Sequence, residues 1–158
     1  MKEKETELTI RIERVSDLRR LLRMRACVLQ SVFGRSVSGC LREMLYTNAA
    51  YFKRQVPEGN HIEFMAVADG DDIASGAICR QYEMPSPDNP TGICAYLMNI
   101  YVDPSWRRRG IASRIVMRLV EEALAFGAGK IYLETTRKGR GVYRRLGFRP
   151  LKHYMKLK

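Results

Sequence analysis

The chain has 158 residues, is 46% hydrophobic and 28% charged, and carries a formal net charge of +11. That composition reads as an ordinary globular protein long enough for one compact domain, residues 1–158. No apolar run approaches the roughly 18–20 residues needed to span a bilayer. The opening MKEKETEL is charged and lacks an apolar signal core, so a cytoplasmic location and no membrane partner are expected.

The charge is unevenly placed. Residues 1–100 hold 13 Lys/Arg against 13 Asp/Glu, whereas residues 101–158 hold 15 against 4. The whole excess therefore lies in the last third, where a polyanionic partner or a solvated basic surface would account for it. Cys27, Cys40, Cys79 and Cys94 form no close-spaced pair, so zinc-type spacing is absent, no metal is expected, and buried free thiols are.

In chain order, Leu8 to Ile12 alternates as a first strand. Ser16-Asp17 offers a cap for a helix carrying Leu18, Leu21, Leu22, Arg25 and Leu29. A second helix is predicted over Val37 to Phe52, and Pro57-Glu58-Gly59-Asn60 breaks the chain. Ile62 to Ala68 and Ile73 to Tyr82 read as a hairpin around Asp69-Gly70. Met84 to Gly92, with three prolines, is a loop, either a lid or plain surface.

Ile93 to Val102 is the next strand, ended by Asp103-Pro104. Gly110 to Phe126 repeats Ile111, Ile115, Leu119 and Ala123 every fourth residue, which predicts a helix with one buried face. Gly127-Ala128-Gly129 stops it. Lys130 to Thr136 is a strand, Arg140 to Leu146 a short helix, and Phe148 to Leu157 a last strand. The strand–helix–strand unit 93–136 predicts a parallel pair beside antiparallel hairpin strands. The fold class is therefore α/β (α+β), a mixed and mostly antiparallel sheet with a central parallel pair and about four helices.

The strongest local signal is Arg107-Arg108-Arg109-Gly110-Ile111-Ala112, a basic loop between a strand and a helix N-terminus. Exposed backbone N–H groups, the helix dipole and the arginines would hold a pyrophosphate, and Gly110 lets the backbone approach it. Gly127-Ala128-Gly129-Lys130 is not a phosphate loop of the NTPase kind, because Leu124 and Ile131 stand where that motif needs Gly and Ser/Thr. No G-x-G-x-x-G follows a predicted strand.

With this order of elements the sequence resembles the GCN5-related N-acetyltransferase (GNAT) superfamily. Arg107, Gly110 and Ala112 match its Gln/Arg-x-x-Gly-x-Gly/Ala signature. Tyr101 to Trp106 and Val142 to Phe148 also resemble it. The resemblance implies an acyltransferase that uses acetyl-CoA as cosubstrate and a primary amine, small molecule or peptide, as acceptor, by direct transfer in a ternary complex. It places the pyrophosphate on 107–112 and the pantetheine arm along the backbone of Ile100, Tyr101 and Val102. Arg108, Arg109, Lys138 and Arg140 are candidates for the 3′-phosphate. A homodimer is common in such enzymes.

Direct transfer has three needs. The amine must lose its proton, because a lysine-type amine has a pKa of about 10.4. The oxyanion needs a donor, for which a backbone N–H on strand 95–102 is available. The leaving thiolate gains from an acid, and the resemblance puts Tyr143 there; packing against the sheet is its structural alternative. Glu134 is a base candidate because a central strand is covered on both faces, although pairing with Arg137 or Arg145 would serve it equally.

Many family members carry a glutamate on the strand matching 95–102. Here Asn99 occupies that region and cannot accept the proton, which favours relayed water. His61 and His153 read as structural or exposed. Tyr96 and Met98 alternate with Leu97 and Asn99, so one set would face either an acceptor cleft or the core. Trp106 is an anchor for the turn. Glu58, Glu63, Asp69, Asp71 and Asp72 form an acidic group that suits a cationic acceptor or plain surface.

Two other readings stay open. One is an acyl-CoA-binding regulator without turnover, which Asn99 allows. The other is a basic nucleic-acid-binding module; no recognised motif supports it, and no nucleic-acid partner is expected.

Overall fold

The computed structural model describes residues 9–158; Leu8, the start of the first predicted strand, lies outside them. The elements are β1 (Arg11–Val15), α1 (Leu18–Phe33), α2 (Arg35–Ser38), α3 (Leu41–Gln55), β2 (His61–Ala68), β3 (Asp71–Tyr82), β4 (Ile93–Val102), α4 (Ile111–Ala125), β5 (Lys130–Leu133) and α5 (Arg140–Arg145). One sheet runs β1-β2-β3-β4-β5, antiparallel throughout except for the parallel pair β4–β5. This is the mixed, mostly antiparallel sheet expected, with five helices among the described residues. Among the described residues no strand pairs outside β5, so the parallel pair sits at one end of the sheet.

Local chemistry explains most boundaries. Asp17 caps α1 by accepting from Arg20 N at 2.9 Å. Asp69 and Gly70 both take positive φ, 50° and 84°, which matches the tight β2–β3 hairpin and the right-handed twist of its strands. The helix predicted over 37–52 is instead two: Gly39 and Cys40 separate α2 from α3, and α3 runs on to Gln55. Residues 134–136 leave β5 and turn toward α5, with Arg140 N bonded to Thr136 O at 3.2 Å.

The last predicted strand, 148–157, does not form. Pro150 offers no N–H to a ladder, and His153 at φ 72° cannot continue an extended run.

The sheet buries both faces. Against one face lies α4, whose Ile111, Ile115, Val116, Leu119 and Ala123 pack on Ile62, Phe64, Ile78 and Leu97. Each large apolar side chain so buried stabilises by about 1.5–3 kcal/mol. Against the other face, α1 and α3 supply Leu21, Met24 and Phe52 to Val15 and Met65. All four cysteines are free, but only Cys94 is buried; Cys27, Cys40 and Cys79 are half-buried, short of the burial expected.

Candidate active site

Pairing between β4 and β5 begins at Cys94↔Lys130 and stops at Leu97↔Leu133, while β4 continues to Val102. The two parallel strands thus part after Leu97 and Leu133. On its other side β4 bulges: Ser75 pairs with Tyr101 and Ala77 with Met98, so β4 carries one extra residue there. Asn99 takes φ 59° in this bulge, and its carbonyl accepts from Ser75 Oγ at 2.9 Å. Gly76, on β3 opposite the bulge, lets α4 lie close on the sheet, because a Cβ on it would be 2.5 Å from Ile115 Cγ2.

Beyond β4 the chain makes one 3-10 turn, Pro104–Trp106, capped by Asp103 through Ser105 N at 2.9 Å. Ile100 and Val102 pack toward the α4 core, and Tyr101 toward the α1/α3 core. Arg107 Nε donates to Val102 O at 3.0 Å, which ties the loop to the strand end. Arg108 takes φ 63°, and Arg109 lies 4.9 Å over the Trp106 ring, so Trp106 does anchor this turn.

Gly110, φ 73°, precedes α4 with no side-chain cap and open space where a Cβ would be. Ile111 is buried and Ala112 half-buried. The first N–H groups of α4 are therefore left for another acceptor, beside three exposed arginines.

Tyr143 and Glu134 line one open cleft of about 800 Å³ with Leu133, Arg140 and Phe148. Burial pushes the Tyr143 phenol above its ordinary pKa, so it stays protonated, and its ring meets Phe148 edge-on at 5.9 Å. Glu134 departs from expectation. The strand ends one residue before it and lies at the edge of the described sheet, so the side chain is exposed rather than covered on both faces. The burial argument for it as a base does not hold. His153 is exposed, as are Lys138 and Arg140.

The acidic group does not assemble either. Asp69, Asp71 and Asp72 sit at the β2–β3 turn, where Asp72 pairs with Arg20, while Glu58 is exposed before β2. Glu63 is apart from them all and fully buried at 0% exposure. Its Oε2 is 2.9 Å from His61 Nε2, and its Oε1 accepts from Asn99 Nδ2 at 2.8 Å. Arg25 on α1 donates to Asn99 Oδ1 at 3.0 Å and to Asn48 Oδ1 at 3.0 Å.

On the far side of the imidazole, His61 Nδ1 is 3.2 Å from the Tyr51 hydroxyl of α3, itself 3.2 Å from Cys79 Sγ. His61 is thus buried and networked. Burial disfavours its charge, but the bonds to Cys79 and Glu63 outweigh that and push its pKa up to about 9. Burial, aided by the Cys79 bond, pushes the Tyr51 phenol up. Burial pulls Arg25 down, with Glu63 opposing.

Arg25, Tyr51, His61, Cys79, Met98 and Asn99 line a cavity of about 220 Å³ on the α1/α3 face. Of the alternating β4 residues, Met98 and Asn99 face it, whereas Tyr96 stacks on Tyr132 at 5.1 Å and Leu97 enters the α4 core. Sequence reasoning gave Tyr51, Arg25 and Cys79 no place in a site and read His61 as structural or exposed. The available signal was a histidine and a glutamate two apart, hence on one face, inside an otherwise apolar strand. Among the described residues no group of three His, Cys, Asp or Glu side chains is placed to hold a metal ion.

The chain resembles known proteins over its length. A glucosamine 6-phosphate N-acetyltransferase from Trypanosoma brucei brucei is 32% identical over 62 residues, 39% of this chain and 42% of that protein, so the match spans under half of the relative. Two crystal structures share the fold at 24% identity. A GCN5-related N-acetyltransferase from Ralstonia eutropha JMP134 has a TM-score of 0.82 over 95% of this chain and 99% of that one. A predicted acetyltransferase with acetyl-CoA from Clostridium acetobutylicum has a TM-score of 0.83 over 95% and 96%. The acetyltransferase (GNAT) family model matches residues 34–148, most of the sequence and all of the elements from α2 to α5. The chain belongs to the acetyltransferase (GNAT) family.

Proposed function

We propose that this protein transfers the acetyl group of acetyl-CoA to a primary amine, directly, in a ternary complex. The observation that carries this reading is the parting of β4 from β5 at Leu97 and Leu133, with the unpaired run of β4 leading to the uncapped N-terminus of α4. The residues fit the donor. An extended amide arm finds backbone groups along Ile100, Tyr101 and Val102, and a pyrophosphate finds the N–H groups after Gly110 with Arg108 and Arg109 beside them.

Acetyl-CoA supplies the activated acyl group; the rest is chemistry of this chain. A backbone N–H of β4 beyond its last pair with β5 would serve the acetyl carbonyl oxygen as charge builds there. Tyr143, held protonated by burial, gives its proton to the departing sulfur. Glu134 is exposed, so burial does not mark it as the base, and the reading needs another group to deprotonate the amine.

Calorimetric titration with acetyl-CoA tests the donor side, and free-thiol release across an amine panel tests transfer. Micromolar binding together with amine-dependent thiol release is expected. No binding at high micromolar acetyl-CoA overturns the reading. Binding without thiol release from any amine would instead make the protein an acyl-CoA-binding regulator.

A further inference from the structure

Three charged side chains, Arg25, His61 and Glu63, are gathered from α1 and β2 into the interior between the sheet and α1/α3. Withdrawing such groups from water costs several kcal/mol per ion unless each is satisfied, and apolar residues of like volume would pack the place at least as well. Here each is satisfied by a named partner, and the cluster borders a cavity instead of filling it. A buried polar cluster with a perturbed imidazole at a pocket marks a functional site.

The position of the cavity identifies its occupant. Met98 and Asn99 line it and are the first two residues of β4 beyond the last pair with β5. It therefore meets the gap between the strands from the face opposite α4. A donor held on the α4 side would present its acyl carbon into that gap, and the cavity is the space left on the other side.

We propose that this cavity receives the acceptor amine and that Tyr51, backed by His61 and Glu63, takes its proton. The inference rests on the acetyltransferase reading above and adds the base that reading lacks. Tyr51 is the catalytic residue, since it lines the cavity and its hydroxyl contacts His61 and Cys79, which line it too; His61 and Glu63 are positioning residues that act through it. With Nε2–H of His61 directed at Glu63 Oε2, Nδ1 is free to accept the Tyr51 proton.

The step balances. The amine lone pair forms the C–N bond as the C–S bond breaks, and the sulfur leaves with the bonding pair and receives the Tyr143 proton. Before attack the ammonium gives one proton to the Tyr51 oxygen as the Tyr51 proton passes to His61 Nδ1, which frees the lone pair; once the C–N bond has formed, the second nitrogen proton leaves to solvent. Solvent then reprotonates Tyr143 and takes the proton from His61.

The relay works only with neutral imidazole. The groups that set its charge are Glu63 beside it on β2, Cys79 on β3, Tyr51 on α3 and Arg25 on α1, with uncharged Asn99 and Met98 from β4. The active fraction rises with pH until that imidazole has titrated, near pH 9.

The test uses the full chain with saturating acetyl-CoA and a panel of compact primary amines, methylamine to ethanolamine and glucosamine. Thiol release is followed from pH 6 to 10. His61→Gln and Tyr51→Phe should lower kcat about 100-fold or more, flatten its alkaline rise, and leave acetyl-CoA affinity within about twofold. Variants that keep the wild-type pH profile overturn the proposal, and a merely structural role would lower the rate without moving the profile.

A second readout needs no turnover. The chain has two histidines, so histidine-labelled protein gives two imidazole signals, assigned with His153→Gln. Amine binding should move the His61 signal and not that of His153. A His61 signal that no panel amine moves overturns the acceptor assignment, whatever the thiol assay gives. A wild-type protein that binds acetyl-CoA and shifts His61 without releasing thiol defeats the transferase reading alone.

Discussion

The Asn99 amide on β4 reaches past β3 to donate to the Glu63 carboxylate on β2 at 2.8 Å. Ala77, the β3 residue in register with Glu63, is small enough to let the two meet. One asparagine thereby joins a backbone bulge to a buried acid. Replacing it by Ala strands Glu63 Oε1 and one Arg25 donor and puts a Cβ-bearing residue without a polar side chain at φ 59°. Asn99→Ala should cost about 3 kcal/mol, and Asn99→Gly, which tolerates that φ, about 1 kcal/mol less. Urea denaturation of both checks this; equal losses would show that backbone strain contributes nothing.

Gly76 sets how closely α4 lies on the sheet. A methyl there meets Ile115 Cγ2 at 2.5 Å and Leu119 Cδ1 at 3.0 Å, both in the packed core. Gly76→Ala should destabilise by about 1–3 kcal/mol and weaken acetyl-CoA binding, if α4 carries the anion site proposed above. Thermal melts with and without acetyl-CoA separate the two effects.

At Gly110 the balance is reversed. A Cβ has open space, yet φ is 73°. Gly110→Ala should cost only about 1 kcal/mol of stability while lowering acetyl-CoA affinity about tenfold or more, a loss of 1.4 kcal/mol or greater. Titration calorimetry on the folded variant would read this; unchanged affinity would remove the loop from the donor site.

Tyr143→Phe keeps the edge-on contact with Phe148 and removes only the hydroxyl. Thiol release should fall about 100-fold with acetyl-CoA affinity unchanged. Wild-type rates in this variant would end its role as the acid.

His61 links pH to stability. Its folded pKa, about 9, exceeds the unfolded value of 6.5. The contribution is therefore complete below about pH 6.5 and is lost as pH rises through 9, on the order of a few kcal/mol in all. Denaturation midpoints should fall over that interval in the wild type, and His61→Gln should show no such fall.

Local signals carried far. Asp17 as a cap, Asp69-Gly70 as a tight turn, the fourfold repeat of α4 and Gly110 before it all act within a few residues, and each stands where its chemistry predicts. What failed depended on distant neighbours. Glu134 looked central because a strand after it was expected, and Pro150 and His153 deny that strand. Glu63 read as one of five clustered acids, for a cationic acceptor or plain surface, because its partners Asn99 and His61 come together only when β2 and β4 flank β3. The proposed donor loop is contiguous, so its residues stand together in the sequence; the proposed acceptor cluster draws on α1, α3, β2, β3 and β4, which only the fold brings together.

The early parting of β4 and β5 makes the sheet a partition with a single slot. In the proposed reaction donor and acceptor would enter from opposite sides and meet inside the wall, so neither would have to wait for the other to clear a shared doorway. Lineages of this chain could then revise α1 and α3 to greet a new amine while the basic loop and α4 stay as they are.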